Sequence, residues 1–334
     1  MVGAVVVRDG RVVGEGWHAA YGAPHAEVAA LAAAGEAARG ADLFVTLEPC
    51  AHHGKTPPCT DALIAAGVKR VVIAAEDPNP EARGGIARLR AAGIEVVTGV
   101  EAAAARELNA PFFFAHGGAP RPFITLKLAL SLDGAIAPGG GEQLWLTGEE
   151  ARRQVHRLRA DADAIAVGIG TALADDPLLT VRAGRRPRVA PLRVVFDQRA
   201  RLSPRSRLAK SARKVPVWVL AASPDAESRA ALERAGVVVR TAPAIDAHLA
   251  ALRDDGIRHL FVEGGAGIAG ALLSAGWVDR LIIFTAPVLL GAGALPAFGT
   301  VNPPTTGAGR WQVVEHRAFG DDLMTVYRPP VLGR

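Results

Sequence analysis

The part of the sequence that most clearly indicates chemistry is a small set of residues able to bind a metal ion. His25 and Glu27 are separated by one residue, and Pro49-Cys50 and Cys59 follow them. One histidine and two cysteines supply three zinc ligands, whereas a structural zinc is normally closed by four. Three ligands leave a coordination position for water, which zinc makes nucleophilic near neutral pH. The pattern therefore predicts a catalytic zinc bound by the histidine and both cysteines, with Glu27 as a carboxylate that is not a ligand.

The surrounding sequence predicts the elements that position these residues. Pro24-His25 precede an alanine-rich run at 27–38, so the imidazole is expected at a helix N-terminus with the carboxylate in the first turn. A buried strand is predicted at 42–47, and the loop that leaves it carries the first cysteine. The second cysteine is expected where a helix begins at 56–59, and this helix is expected to end near Gly67. A helix N-terminus favours thiolate over thiol.

The two cysteines also have simpler interpretations. Cys50 and Cys59 can form a disulfide, or they can be unrelated buried thiols while His25 only caps a helix. A chain of 334 residues with two cysteines and no export signal is not a disulfide scaffold. The sequence therefore favours the metal site.

The segment between the cysteines resembles that of a known enzyme family. Residues 48–59, EPCAHHGKTPPC, have a wider spacing than the C-x-x-C of cytidine and tRNA deaminases. They are similar to the deaminase half of the bifunctional riboflavin-biosynthesis deaminase/reductase family, and H-x-E followed by P-C and a second cysteine is a deaminase signature. Further stretches resemble the same family in the same order: VGAVVV at 2–7, GEGWH at 14–18, EDPNP at 76–80 and GGI at 84–86.

This resemblance implies a cytidine-deaminase-like α/β/α domain over residues 1–118 with one zinc ion per chain. Glu27 is implied to move a proton from the water to the pyrimidine and the departing ammonia. His18 and Lys55 are implied to lie near the substrate. The family usually has a helix and an Asn-Pro dipeptide before the first strand, whereas this sequence begins at Met1. We therefore expect the domain to lack its first helix.

The second half of the sequence predicts a separate α/β domain at 119–334. Glycine and proline interrupt both periodic patterns within 115–122, which is typical of a domain boundary. Apolar runs then alternate with helical stretches, as in an α/β sheet domain. Strands are predicted at 123–130, 164–168, 193–196, 215–220, 237–241, 259–263 and 281–287.

Two glycine-containing segments in this half can approach a phosphate group. Residues 262–267, VEGGAG, leave a predicted strand and open a helix, a geometry in which backbone amides contact phosphate. Residues 168–171, GIGT, lack the third glycine of a dinucleotide fingerprint. Glycines after a strand more often only form a turn, so these segments alone do not decide between phosphate binding and a simple turn.

Other stretches resemble the reductase half of the same family: KLALSLDG at 127–134, WLTG at 145–148, HRLRA at 156–160, DDPLLTVR at 175–182 and EGG at 263–265. The resemblance implies a dihydrofolate-reductase-like α/β fold and NADPH as a cofactor. Along NADPH it places Ala129, Trp145, Thr171, Asp175, Gln198, Gly265, Ala266, Gly267, Ile268, Ala269, Gly270 and Ala271. Around the substrate it places Lys127, Gln143, Arg159, Leu179, Arg182 and Glu263. Both glutamines replace a serine of the family pattern.

The charge and the size of some of these side chains bear on the roles that the resemblance implies. Arginine makes bidentate contacts with phosphate that lysine cannot make, so Arg159 and Arg182 are predicted to anchor the substrate phosphate. Lys127 is predicted to polarise the reacting sugar carbon. Without the resemblance, Trp145 and Leu179 are more simply explained as core residues.

The composition of the chain limits which classes of partner are expected. Half of the 334 residues are hydrophobic, which is ample for two cores. The net charge of +5 comes from scattered arginines and not from a basic block, so no nucleic-acid partner is expected. No apolar run is long enough to span a membrane, and no charged leader follows Met1. We expect a cytoplasmic protein without a membrane partner, and the assembly that we consider is a homodimer or a higher oligomer through the reductase domain.

The resemblance implies a bifunctional riboflavin-biosynthesis enzyme. The first half is expected to deaminate a 2,5-diamino-6-(ribosylamino)pyrimidinone 5′-phosphate, and the second to reduce its ribosyl group with NADPH to give 5-amino-6-(ribitylamino)uracil 5′-phosphate. Two alternatives stay open from the residues alone. One is a zinc deaminase whose second domain is only a scaffold, and the other is a zinc-stabilised nucleic-acid binder without activity.

Overall fold

The structure, a computed structural model, describes residues 1–20, 22–139, 144–184, 186–298 and 309–330. The chain divides into two compact units, Met1–Ala119 (unit 1) and Pro120–Arg334 (unit 2). The division falls within the glycine- and proline-containing segment where the sequence predicts a domain boundary. Among the described helices, none combines the length and the apolar character needed to cross a bilayer.

Unit 1 is built on one mixed sheet. Its strands are β1 (Gly3–Arg8), β2 (Arg11–Trp17), β3 (Asp42–Val45), β4 (Arg70–Ile73) and β5 (Glu95–Thr98). Its helices are α1 (Ala26–Ala34), α2 (Cys59–Ala66), α3 (Gly85–Ala91), α4 (Ala102–Leu108) and α5 (Ala110–His116), and a 3-10 turn (Gly35–Ala38) follows α1. The strand order is β2-β1-β3-β4-β5. Strand β1 is antiparallel to both of its neighbours, and β3, β4 and β5 are parallel.

Helix α1 packs unusually close to strand β2. A methyl group at Gly14 would lie 2.4 Å from the carbonyl oxygen of Ala30, and one at Gly16 would lie 2.3 Å from the amide nitrogen of Ala30. The helix face in contact is alanine, and Ala26 and Ala30 are fully buried. Small residues on both elements therefore let the two backbones touch, which fixes the position of the helix N-terminus.

Unit 2 contains a larger sheet that is mostly parallel. Its strands are β6 (Phe123–Leu130), β7 (Ala135–Ala137), β8 (Ala164–Gly168), β9 (Leu192–Phe196), β10 (Val217–Ala221), β11 (Val238–Thr241), β12 (His259–Glu263), β13 (Arg280–Thr285), β14 (Leu295–Pro296), β15 (Gln312–Phe319) and β16 (Asp322–Arg328). Its helices are α6 (Glu149–Ala160), α7 (Ile169–Asp175), α8 (Arg207–Lys210), α9 (Ala226–Ala235), α10 (Ile245–Asp254) and α11 (Ala266–Ser274).

The order of the large sheet is β11-β10-β9-β8-β12-β6-β13-β16-β15 within the described part of the chain. The strands from β11 to β13 are parallel, and β16 and β15 join them in antiparallel orientation. Strands β7 and β14 form a separate antiparallel pair. Because the carboxyl ends of parallel strands share one edge of a sheet, the loops that leave them converge there.

The seven strands that the sequence predicts in unit 2 are all present. Strands β6, β8 and β12 have the predicted ends, and the others differ by at most two residues. The sequence analysis missed the C-terminal hairpin of β15 and β16. Most residues of β15 are exposed, so this edge strand lacks the apolar run that identifies the buried strands.

A buried histidine links the stability of unit 2 to pH. His259 at the start of β12 is 9% exposed, and its Nδ1 donates to the carbonyl of Asp161 (3.1 Å). Its Nε2 lies 2.9 Å from the hydroxyl of Thr125, which can donate to it when the ring is neutral. Burial lowers the pKa of His259 below its ordinary value of 6.5. Below that pH the unfolded chain binds a proton that the folded chain does not bind, so folding stability falls as the pH falls.

We predict that His259→Gln weakens the dependence of the melting temperature on pH. Between pH 7 and pH 5 the wild-type melting temperature should fall more steeply than that of the variant, because one buried titrating group is worth up to about 1.4 kcal/mol per pH unit. Thermal unfolding followed by circular dichroism measures this difference. The exposed His316, changed to Gln, is the control and should keep the wild-type slope. Equal slopes for wild type and His259→Gln would contradict the assignment.

Candidate functional site

The three predicted zinc ligands come together in unit 1. His25 is the residue before α1, with an extended backbone (φ −68°, ψ 162°). Cys50 lies in the loop after β3, and Cys59 is the first residue of α2. One ligand atom of each residue lies within 4.8 Å of the others. The structure thus gathers one helix start, one strand-end loop and a second helix start at one point.

The distances between these atoms suit a zinc ion. Nδ1 of His25 lies 3.1 Å from Sγ of Cys59 and 3.5 Å from Sγ of Cys50. Tetrahedral zinc with ordinary bond lengths to nitrogen and sulfur places such a pair about 3.6 Å apart. Both cysteines are free thiols, so the disulfide interpretation is wrong. The residues present therefore fit the metal.

The two thiols differ in their affinity for a proton. The backbone N–H of Cys59 donates to Sγ of Cys50 (3.3 Å). The hydrogen bond between the two thiols lowers the pKa of Cys50 to about 5, although burial opposes this shift. The same hydrogen bond, burial and the nearby Glu27 raise the pKa of Cys59. The two thiols are therefore strongly coupled to each other, and zinc binds both of them as thiolates.

Glu27 is a buried carboxylate beside the predicted ligands. It lies in the first turn of α1, it is 3% exposed, and its side chain forms a hydrogen bond with Cys59. Burial raises the pKa of Glu27, and its hydrogen bonds oppose the rise only in part. A carboxylate with a raised pKa exchanges a proton more readily near neutral pH, as general acid–base catalysis requires.

The loop that carries Cys50 is held by residues to which the sequence analysis gave no role. The buried carboxylate of Glu48 accepts the backbone N–H groups of Asp77 (3.2 Å), Gly84 (3.2 Å) and Ile86 (3.1 Å). A methyl group at Gly85 would lie 1.8 Å from the carbonyl oxygen of Pro49. Glu48 and Gly85 thus fix the backbone that directly precedes the cysteine, and the GGI stretch was the signal in the sequence.

The two residues predicted to lie near the substrate occupy different positions. The ring of His18 meets the ring of His25 edge to face, with 5.3 Å between their centroids, and its Nδ1 lies 3.3 Å from the carbonyl oxygen of Pro24. Lys55 is exposed in the loop between the cysteines. The structure therefore places His18 beside the ligand set and Lys55 on the surface of the loop.

Unit 2 contains a cavity of about 1690 Å³ at the carboxyl ends of its parallel strands. Single small-molecule pockets are usually about 300–1,000 Å³, so the cavity has room for a dinucleotide and a second ligand. The predicted residues that line it are Lys127, Ala129, Trp145, Arg159, Thr171, Asp175, Leu179, Arg182, Gln198, Glu263, Gly265, Ala266, Gly267, Ile268 and Ala271. Ala269 and Gly270 are buried in α11 and do not line it, because they lie on the helix face that packs on the core. Gln143 lies outside the described residues.

Three charged side chains form a buried group in the cavity wall. Lys127 on β6 is paired in register with Glu263 on β12, and its Nζ lies 3.9 Å from Oε2 of Glu263. Nε and Nη2 of Arg159 both donate to the same carboxylate. Burial alone would raise the pKa of Glu263, but Arg159 and Lys127 outweigh it, so the pKa is below its ordinary value. Burial also lowers the pKa of Lys127.

This geometry does not favour Arg159 as a free phosphate anchor. Its Nη1 donates to the carbonyl of Thr180 (3.1 Å), and its Nε and Nη2 donate to Glu263. Arg182 is exposed and also lines the cavity, and its backbone N–H donates to Nδ1 of His156 (3.2 Å).

The loop before Arg182 has a strained backbone. Leu179 is 3% exposed and has φ +50°, a left-handed conformation that is rare for leucine. The fully buried Arg193 holds the preceding residue, since its Nη1 donates to the carbonyl of Leu178 (3.2 Å) and to the hydroxyl of Ser211 (2.7 Å). Burial lowers the pKa of Arg193 to about 10.

The two glycine segments meet at the cavity. A methyl group at Gly265 would lie 2.8 Å from Oγ1 of Thr171, and one at Gly168 would lie 3.3 Å from Cβ of Ile268. Gly168 and Gly265 directly precede α7 and α11. Two helix N-termini thus approach each other where only small residues fit, an arrangement that suits the phosphates of a dinucleotide. The residues present fit NADPH.

Fold and site together define a two-unit enzyme, with a zinc site of the deaminase type in one unit and a nucleotide-sized cavity in the other. The family model for the RibD C-terminal domain matches residues 122–325, and that for the cytidine and deoxycytidylate deaminase zinc-binding region matches residues 1–75. The chain belongs to the RibD family of bifunctional riboflavin-biosynthesis enzymes.

The relatives cover nearly the whole chain. The riboflavin biosynthesis protein RibD of Aquifex aeolicus is 44% identical over 98% of this chain and 91% of its own length. That of Escherichia coli is 43% identical over 88% of this chain and 83% of its own length. The structure of Acinetobacter baumannii RibD is similar with a TM-score of 0.82 at 37% identity, covering 98% of this chain and 92% of that one.

These relationships establish the function at the level of the family. The chain is a deaminase and reductase of riboflavin biosynthesis, and its cofactors are zinc and NADPH. The expected α/β architecture, cytidine-deaminase-like in the first half, is confirmed. The matches to both units favour the bifunctional enzyme over a deaminase with a scaffold domain and over a nucleic-acid binder.

We predict that Gly85→Ala weakens zinc binding. The added methyl group would collide with the carbonyl of Pro49 and displace the Cys50 loop, and overpacking of this kind costs about 1–3 kcal/mol. Zinc content after dialysis against a chelator should fall well below that of wild type. The matched control is Gly54→Ala in the loop between the two cysteines, where the added methyl group would lie 3.4 Å from the side chain of His52. Equal zinc retention in the two variants would contradict the positioning role of Gly85.

Proposed function

We propose that unit 1 carries the deaminase activity and unit 2 the reductase activity. The ranges of the two matching family models, 1–75 and 122–325, support this division. A structure from Thermotoga maritima, 35% identical with a TM-score of 0.81 over 98% of this chain and 91% of that one, is described as a diaminohydroxyphosphoribosylaminopyrimidine deaminase/5-amino-6-(5-phosphoribosylamino)uracil reductase. We propose the same two substrates here. A homodimer through unit 2 and the absence of a nucleic-acid partner stay predictions.

In the proposed deaminase mechanism, the zinc ligands and Glu27 have separate roles. Zinc bound by His25, Cys50 and Cys59 would supply Lewis-acid activation of the attacking water. Glu27 accepts one proton from this water and passes it to the ring nitrogen; it then accepts the second proton, from the hydroxyl that has been added to the ring carbon, and passes it to the departing amine. Its burial and raised pKa keep the proton on the carboxyl group between the two transfers. The first turn of α1, which begins directly after His25, holds the carboxyl beside the ligand set.

We predict that Glu27→Gln and Cys59→Ser separate chemistry from metal binding. Glu27→Gln should keep one zinc per chain and lower ammonia release at least about 100-fold, because only the proton carrier is lost. Cys59→Ser should lose zinc as well as activity, because a thiolate ligand is removed. Metal analysis and an ammonia assay on the diamino-pyrimidine substrate measure both. Unchanged turnover of Glu27→Gln would refute its role as proton carrier.

In the proposed reductase mechanism, the charged group of Lys127, Arg159 and Glu263 supplies the part of the reaction that the cofactor does not. NADPH, when bound, supplies the hydride that is added to C1 of the ribosyl group. As the ring C1–O bond breaks, the oxygen that leaves needs a proton. Lys127 is suited to supply it, because burial lowers the pKa of its ammonium and makes it a better acid. Arg159 holds the carboxylate of Glu263, and Glu263 in turn orients Lys127.

We predict that Lys127→Met lowers NADPH oxidation on the deaminated substrate at least about 100-fold, since a general acid contributes about 10²–10⁴ to the rate. NADPH binding, measured by fluorescence titration, should change little, so the loss should be in kcat. The exposed Lys210, changed to Met, is the matched control and should retain full activity. A variant at Lys127 with wild-type kcat would show that another group supplies the proton.

A further inference from the structure

A segment without helix or strand, residues 176–182, follows α7 and forms part of the cavity wall. Leu178, Leu179 and Arg182 of this segment all line the cavity. The backbone polar groups of such a segment are not paired in a helix or a sheet, so they need partners elsewhere. The position of each side chain that the segment presents to a ligand therefore depends on contacts with other elements.

Two side chains of helix α6 hold the second half of this segment. Nη1 of Arg159 donates to the carbonyl of Thr180 (3.1 Å), and Nδ1 of His156 accepts the backbone N–H of Arg182 (3.2 Å). His156 and Arg159 are three residues apart, so they lie on the same face of the helix. Arg159 also holds Glu263, whereas His156 has no role in the reaction described above.

The backbone between these contacts needs support from its surroundings. Leu179 has the left-handed φ of +50° and a side chain that is 3% exposed. Arg193 fixes the residue before it, through the carbonyl of Leu178 (3.2 Å). A strained backbone persists only where its neighbours hold it. Loss of one contact is therefore expected to move the residues that the segment presents to the cavity.

The hydrogen bond from Arg182 requires a neutral ring at His156, because Nδ1 of a protonated imidazole is a donor and cannot accept. Burial lowers the pKa of His156 below its ordinary value of 6.5. The positive charges of Arg159 and Arg182 lower this pKa further, whereas Glu263 on β12 and the backbone of Thr180 oppose the shift. The ring is therefore mostly neutral at pH 7 and above.

We propose that His156 is a positioning residue of the reductase, whose neutral ring holds the backbone of Arg182 so that the guanidinium can bind the substrate phosphate. The inference rests on the proposed function, since it needs the phosphorylated substrate in the cavity of unit 2. His156 does not line the cavity, so it acts through Arg182 and not by contact with the substrate. A charged hydrogen bond to phosphate is directional, so a displaced backbone weakens it.

The test compares His156→Leu, which removes the acceptor, with His156→Asn, whose amide oxygen replaces it at a similar distance from the backbone. At about pH 7.5, His156→Leu should raise the KM of the full chain for the deaminated substrate at least about fivefold, which corresponds to about 1 kcal/mol for one hydrogen bond. Its kcat and its affinity for NADPH should each change less than about twofold. His156→Asn should restore most of the wild-type KM. Arg153→Leu, at an exposed residue of the same helix outside the cavity, is the control and should keep the wild-type KM.

The dependence on pH separates this role from a purely structural one. Between about pH 7.5 and about pH 5.5, protonation of the ring removes the acceptor, and asparagine does not titrate. The affinity of wild type for 5-amino-6-(ribitylamino)uracil 5′-phosphate, measured by calorimetry, should therefore fall more steeply than that of His156→Asn. The phosphate titrates in the same range, but it does so for both proteins, so the difference between them isolates the histidine.

Three results would overturn the inference while leaving the proposed function intact. They are an unchanged KM in His156→Leu, a His156→Asn variant no better than His156→Leu, and a parallel loss of NADPH affinity in His156→Leu. A wild-type affinity that rises relative to His156→Asn at low pH would also overturn it, because the protonated ring would then attract the phosphate. A wild-type chain that does not oxidise NADPH with the deaminated substrate would overturn the proposed function as well.

Discussion

A buried ionisable group needs its charge balanced by its neighbours, and both candidate sites follow this constraint. In unit 1, burial raises the pKa of Glu27, and its hydrogen bonds and the neighbouring His25 oppose this rise only in part. In unit 2, Glu263 stays ionised because Arg159 and Lys127 are beside it. In each site the neighbours decide which group carries a proton, and this decides which group can donate one.

Both units bring distant parts of the sequence together in the same way. Parallel strands end at one edge of a sheet, so loops that are far apart in the sequence become neighbours. The zinc ligands lie where α1, the loop after β3 and α2 meet, although 34 residues separate His25 from Cys59. In unit 2 the same geometry joins Lys127 and Glu263, which lie on adjacent strands. The chemistry of each unit therefore depends on strand order more than on any single loop.

The sequence could predict those features that have a local signature. The zinc ligands, the helix starts and the buried strands of unit 2 were found because residue type and periodicity identify them. The β15–β16 hairpin was missed because an exposed edge strand has no apolar run. The roles of Glu48 and Gly85 were missed because their partners lie in loops distant in sequence. The contact of Arg159 with phosphate stays a prediction, and the sequence does not show that its Nε and Nη2 donate to Glu263.

The contact between α1 and β2 restricts how unit 1 can move. Since the backbones touch at Gly14 and Gly16, the helix cannot slide or rotate without collision, and it carries His25 and Glu27 as one body with the sheet. The loop between the cysteines is mostly exposed and contains no helix or strand from Ala51 to Pro58. By contrast, helix α1 keeps the proton carrier and the histidine ligand at a constant position relative to each other and to the sheet.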